Sequence, residues 1–231
     1  MQSLKRMLDF EPFYLTLELA ITTTIVLFLI GVPVSYWLAF SASRVKVLLE
    51  AFVGLPLVLP PSVLGFYLLL AFSPENAFGK FLDTYFDIRL VFTFPGLVIA
   101  SVIYSLPFMI QPIQSGFRMI PKNLMEASYT LGKSKMTTLT KVLIPNIKNA
   151  LLTGCILSFA HTIGEFGVVL MVGGNIPKET RVISVAIYDE VEAMNYHQAN
   201  IYAAILLIFS FLVLVSVYLV NHRMLKVHYQ P

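Results

Sequence analysis

The sequence predicts an all-α integral membrane protein, a single domain over 1–231 with about five transmembrane helices and one charged loop between two of them. Three observations predict it. Hydrophobic residues fill 57% of the chain and charged residues only 13%, against about 25% charged in a soluble domain. Five mostly apolar stretches, roughly 15–41, 50–73, 92–117, 147–172 and 198–221, are each long enough for the ~20 helical residues that cross a bilayer. The charges collect in the connections, above all in 118–146.

The first stretch follows Lys5 and Arg6 and ends in AFSAS, which invites comparison with a signal peptide. Its apolar run exceeds the 7 to 15 residues of such a peptide's core, so it is expected to remain as a helix. The hydroxyls of Thr22, Thr23 and Thr24 can bond back to their own helix carbonyls. The second stretch is interrupted by GLPLVLPPSVLG, with Pro56, Pro60 and Pro61. Proline removes a backbone donor, and in lipid this is tolerated where neighbours or a water-filled path satisfy the freed carbonyls. A bent helix follows, either lining a path, with Pro60 and Pro61 as candidates, or kinked for packing.

The connection from Ser73 to Thr93 is short, mixed in charge and too small for a domain. The third stretch carries Pro95, Pro107 and Pro112, with Tyr104, Ser105, Gln111 and Gln114 as polar members. Gln111 and Gln114 share a helix face near the charged loop.

In that loop Leu124, Ala127 or Ser128, and Leu131 have the spacing of one apolar helical stripe, with Asn123 placed to cap it after Pro121. Gly132 closes the helix, Ser134 opens a second one running toward Val142, and Pro145 falls in the first turn of the next apolar segment. Glu126-Ala127-Ser128, three residues, Gly132, nine residues, then Val142, Ile144 and Pro145 resemble the EAA loop of ABC importer permeases. That pattern reads E-A-A, three residues, G, nine residues, I-x-L-P. Ser128 stands for the second Ala, Val142 for Ile and Ile144 for Leu. The resemblance implies that 118–146 is a coupling loop whose Glu126, Ala127, Ser128, Gly132, Val142, Ile144 and Pro145 dock on an ATPase subunit.

The fourth stretch reads SFAHTIGEFGVVLMVGGN over 158–175, and within the nearly uncharged cores of the runs, 19–43, 51–74, 90–117, 149–177 and 198–221, Glu165 is the one formal charge and His161 the one histidine. An ionisable group at membrane depth is expensive and points to function. Here His161 and Glu165 stand at i, i+4 and can satisfy each other. A carboxylate repels an anion, so Glu165 is expected to hold or gate the path beside Gly164, Phe166 and Gly167; direct lining of the path is the other reading. Cys155 is alone, and His161, His197, His222 and His228 are scattered, so neither a disulfide within the chain nor a metal cluster is expected. Beyond this stretch, Asn175, Pro177, Glu179 and Arg181 lie in a turn that leads into an amphipathic segment and the acidic run Asp189, Glu190 and Glu192. This is a docking candidate for an external binding protein, or a solvated turn.

Charge orients the chain. Alternating sides places ten Lys and Arg with only Glu50 and Glu126 on one side, and six basic with ten acidic residues on the other. The basic side is cytoplasmic, which puts the N-terminus outside and the C-terminus inside. The net charge of +3 is thus a topology signal and gives no reason to expect nucleic acid. With no Gly-rich phosphate loop, ATP hydrolysis by this chain is not expected.

SFAHTIGEFGVVLMVGGNIPKETRVISVAIY is similar to the region after the EAA loop in molybdate and tungstate permeases, with its G-E-F-G core followed by N-I-P and E-T-R. LPLVLPPSVLGFYLLL and TLELAITTTIVLFLIGVPVSYWLA extend the similarity over nearly the whole chain; sulfate and thiosulfate permeases are related and usually longer. The resemblance implies a homodimer in a bacterial-type inner membrane. Two ATPase subunits holding ATP and Mg would sit below it, an external binding protein would deliver the oxyanion, and transport would run by alternating access, with no cofactor on this chain. Two other classes remain. An ion-driven transporter would need more intramembrane charge than Glu165, and an intramembrane enzyme would need a pair such as Ser158 and His161.

Overall fold

A computed structural model describes residues 9–227, with side chains as far as Ser216. Lys5, Arg6, His228 and the side chains of His222, Arg223 and Lys226, which entered the orientation argument and the histidine survey, lie outside the described side chains.

Helix α1, Glu11–Phe40, carries no charge after Glu18 and buries one stripe rich in small and hydroxyl residues, including Thr16, Ala20, Thr23, Gly31 and Ser35. Small residues let helix backbones approach closely where lipid offers no hydrophobic drive for association. At Gly31 a Cβ would stand 2.7 Å from Met109 Cγ, and Ser35 Oγ donates to the Ile110 carbonyl at 3.1 Å. Thr24 bonds back to Ala20 at 2.7 Å as its position suggests, whereas buried Thr23 finds no partner among the described residues.

The second stretch divides into two helices. Helix α2, Val45–Gly54, passes through a tight turn at Leu55–Leu57, and α3, Pro61–Phe72, leaves it at 112°. The cause is the proline pair: Pro61 forces extended backbone on Pro60 (ψ 138°), and its own fixed φ suits the first position of a new helix. A short helix α4, Ala77–Phe86, precedes α5, Phe94–Arg118, whose N-terminus is capped by the Thr93 hydroxyl accepting from Gly96 N. The charged loop holds α6, Lys122–Thr130, and α7, Lys135–Thr138. Then come α8, Lys148–Gly164; α9, Gly167–Gly173; α10, Ile183–Glu192; and α11, Tyr196–Val227.

Helix α5 is central. Leu15 of α1 packs with Leu97 at one end, and Tyr36 packs with Phe117 at 5.6 Å at the other, so α1 and α5 are parallel. Two parallel neighbours require the intervening chain to cross back, and α2 with α3 supplies that crossing despite its bend. Helix α8 runs antiparallel to α5, from Gly116 beside Ala150 to Ser105 beside His161, and α9 completes the return where Gly173 meets Leu97. Phe13 packs on Phe209 at 5.3 Å, and Val213 shares an apolar cavity with Ile21 and Ile25, so α11 runs parallel to α1. Among the described residues, three helices are long and apolar enough to span alone, and the bent pairs bring the number to five. Residues 118–146 therefore lie on one face, and α4 and α10 on the other.

Candidate functional site

The charged loop forms a helix, a corner and a second helix, with local differences from expectation. Pro121, extended at ψ 135°, precedes α6, so Asn123 falls inside the first turn and caps nothing. The C-terminus of α6 is closed by Gly132 N donating to Tyr129 O at 2.9 Å and Lys133 N to Ser128 O at 3.1 Å, with Gly132 at φ +70°. This is the Schellman arrangement, whose left-handed residue is best filled by glycine. Ser134 caps α7 by accepting from Thr137 N at 3.2 Å.

The second helix does not continue evenly to Val142. It widens into a π-type stretch at Leu139–Leu143, then makes a short turn at Ile144–Asn146, and α8 leaves at 72°. Pro145, without an N–H for a regular α-helical bond, stands in that turn and not in the first turn of α8.

The expected apolar stripe also splits. Ser128 is buried, its hydroxyl 2.8 Å from the buried Thr138 hydroxyl, so this pair fastens α6 to α7. Leu131 and Met136, at 75% and 68% exposed, and Leu124 and Tyr129 instead face outward near exposed Glu126 and Ala127. Val142 and Ile144 are half-buried. An apolar patch on a charged loop has the character of a protein contact surface. Ser128→Ala would leave Thr138 without its partner and is expected to destabilise the loop by about 1–3 kcal/mol. Thermal unfolding in detergent checks this, and Ser128→Thr, which keeps the hydroxyl, should retain more of the lost stability.

At the base of α5, Glu50 of α2 accepts from Gln114 Nε2 at 2.5 Å and from Arg118 Nη2. Gln114 is thus tied to the neighbouring helix, and the charge of Glu50 is held beside the loop.

The second focus is the break between α8 and α9. Helix α8 ends at Gly164 and Glu165 is extended, at ψ 131°, so the i, i+4 relation of His161 to Glu165 is lost. Their expected pairing does not form. His161 Nδ1 lies 2.9 Å from Ser105 Oγ, and its ring stacks on Phe108 with centroids 4.0 Å apart. Ser105, not Ser158, is therefore the hydroxyl beside the imidazole.

Glu165 is 4% exposed, and neither of its carboxylate oxygens has a partner among the described residues, while its carbonyl accepts from Ser184 Oγ at 2.6 Å. A cavity of about 590 Å³ opens at this break, and Pro61, Gly164, Glu165, Phe166 and Gly167 all line it, with Tyr104 and His161. Pro60 precedes the wall without joining it. Gly167 is required by close approach: a Cβ there would stand 2.7 Å from Pro61 Cβ, whereas one at Gly164 would meet nothing within 4 Å among the described residues.

On the opposite face, Glu179 Oε1 accepts from Phe94 N at 3.2 Å, and Arg181 pairs with Asp189 at 2.8 Å and Glu190 at 3.7 Å. These two docking candidates make contacts within the chain, Glu179 while still exposed, and Asn175 and Pro177 are exposed as well. The sequence reading missed Glu50, Arg118, Thr138 and Phe108 as partners; the i, i+3 and i, i+4 relations it used cannot reach them.

The sequence matches the model of the family described as binding-protein-dependent transport system inner membrane component over residues 31–226. It is 49% identical over 210 residues to the molybdenum transport system permease protein ModB of Azotobacter vinelandii, covering 91% of this chain and 93% of that protein. It is 34% identical over 178 residues to the sulfate transport system permease protein CysT of Salmonella typhimurium, covering 77% of this chain and 64% of that protein. The fold is similar to a chain of the MetNI methionine ABC transporter in an inward-facing conformation, with a TM-score of 0.70 at 17% identity, covering 91% of this chain and 93% of that one.

Proposed function

The chain belongs to the family of inner membrane components of binding-protein-dependent transport systems, and we propose that it is the permease that carries molybdate, or tungstate, into the cytoplasm. The observation that carries this reading is the 49% identity to a molybdenum transport permease across nearly the full length of both chains. The sulfate transport relative is less similar and longer. Sulfate shares the charge and tetrahedral shape of molybdate and is the second reading.

Two copies of the chain enclose the path, an external binding protein delivers the anion, and two ATPase subunits carrying ATP and Mg dock below. The loop at 118–146 faces the cytoplasm, with the N-terminus outside and the C-terminus inside, because basic residues prefer the cytoplasmic side. The outward apolar side chains Leu131 and Met136 support a partner at the Gly132 corner. When ATP closes the ATPase dimer, the docked α6 and α7 move together; the rigid corner through Pro145 carries this into α8, which ends at the cavity. ATP shifts the permease only if the loop binds closed and open ATPase differently. Glu165 holds the break between α8 and α9 and does not bind the anion.

The test is uptake of labelled molybdate by cells carrying this chain with its candidate ATPase and binding protein, competed by tungstate and by sulfate. Competition by tungstate alone supports the proposal. Competition by sulfate at equal concentration would move the chain to the sulfate reading, and uptake independent of any ATPase would mean an ion-driven transporter.

A further inference from the structure

The connection between α3 and α5, 73–93, has no part in the transport reading, yet it carries a dense exposed aromatic surface. Helix α4 is about 15 Å long at 1.5 Å per residue. At about 100° per residue, Phe81, Tyr85, Phe78, Leu82 and Phe86 fall on one arc and Asp83, Lys80 and Thr84 on the other.

Its inner side is fixed. Leu82 packs with Phe72 and Leu90, and at Gly79 a Cβ would stand 2.1 Å from the Ser73 carbonyl, so the helix lies tight against the end of α3. Phe78, Phe81, Tyr85 and Phe86 are then left 52%, 48%, 73% and 60% exposed. Between the end of α3 and residues 89–92, joined to the polar arc of α4 through the Arg89–Asp83 pair, is a cavity of about 500 Å³ with apolar walls from Leu69, Leu70, Val91 and Phe92, and Arg89 is the one charged residue of its lining. The Arg89 ion pair to Asp83 uses Nε, at 2.8 Å, and its side chain is 71% exposed.

We propose that 73–93 is a phospholipid-binding collar, in which α4 lies in the headgroup plane of the leaflet opposite the coupling loop and Arg89 meets a lipid phosphate over the apolar cavity. The position argues for lipid: α3 ends at Phe72 and α5 begins at Phe94, so this connection joins two span ends at one membrane border. Aromatic rings concentrate at that depth, and a short amphipathic helix with its polar arc outward lies along the boundary. An acyl chain fits the walls of the cavity, and a phosphate fits a guanidinium.

The test uses the chain's single tryptophan. In a Trp37→Phe background, Phe81→Trp and, separately, Tyr85→Trp are reconstituted in vesicles of phosphatidylethanolamine and phosphatidylglycerol brominated either near the headgroup or deep in the acyl chain. Blue-shifted emission, quenched most by the shallow bromines, with weaker quenching for Thr84→Trp on the polar arc, is the expected result. Water-like emission untouched by either lipid in both variants would overturn the proposal, as would a blue shift appearing only when the external binding protein is added. By native mass spectrometry, Arg89→Glu should lose phosphatidylglycerol that the parent chain retains; unchanged retention would remove Arg89 from the site.

Discussion

Replacing Gly132 with Asp is expected to abolish substrate uptake while leaving the subunit folded and at its normal level in the membrane. Gly132 sits at φ +70°, which costs an ordinary residue about 1–2 kcal/mol, and Asp is among those that tolerate it best. A Cβ at this corner would meet nothing within 4 Å among the described residues, so the isolated chain has little reason to unfold. A large loss of uptake must then come from another molecule covering the corner. An unpaired charge buried in such an interface costs on the order of several kcal/mol, enough to prevent docking. Gly132→Asn, similar in shape and equally tolerant of the left-handed conformation, should keep much more activity. Blotting of membrane fractions beside labelled-anion uptake reads both effects. Equal loss in Asp and Asn variants would mean that shape, not charge, decides the contact.

The second large effect is expected at the membrane cavity. Gly167→Val places side-chain atoms against Pro61, where even the first added carbon would be at 2.7 Å from Pro61 Cβ. Pro61 opens α3 and its ring is rigid, so α9 must move away from α3, and overpacking of this kind costs about 1–3 kcal/mol. Because that contact forms a wall of the cavity, uptake should fall further than stability alone explains. Gly164→Ala is the matched control, since its Cβ enters open space, and both uptake and thermal unfolding should remain near those of the parent chain. If Gly164→Ala proved the more harmful, the packing of α3 on α9 would not be what shapes the cavity.

Long apolar runs made the spans legible, and the helix, corner and second helix of the charged loop were legible because a Gly-closed helix followed by Ser134 has local causes. The break after Gly164 was not, since the Val-rich run beyond it continues the hydrophobicity and hides the change of direction. Pairing His161 with Glu165 presupposed an unbroken helix; the chain leaves helical geometry at Glu165, and the imidazole turns to Ser105, 56 residues away in sequence. The same distance effect hid Glu50, whose partner Arg118 is 68 residues on. Nothing local in the turn that holds Glu179 and Arg181 showed that the first reaches the start of α5 and the second fastens α10. Ser128, a departure from the EAA pattern, has its reason in Thr138 across the corner.

The most direct measurement is the ATPase rate of the reconstituted complex in proteoliposomes, with and without molybdate-loaded binding protein. The account predicts stimulation by the loaded protein, and its loss in Gly132→Asp although the ATPase subunits retain their unstimulated rate. Undiminished stimulation in that variant would contradict the assignment of 118–146 as the element through which ATP drives this permease.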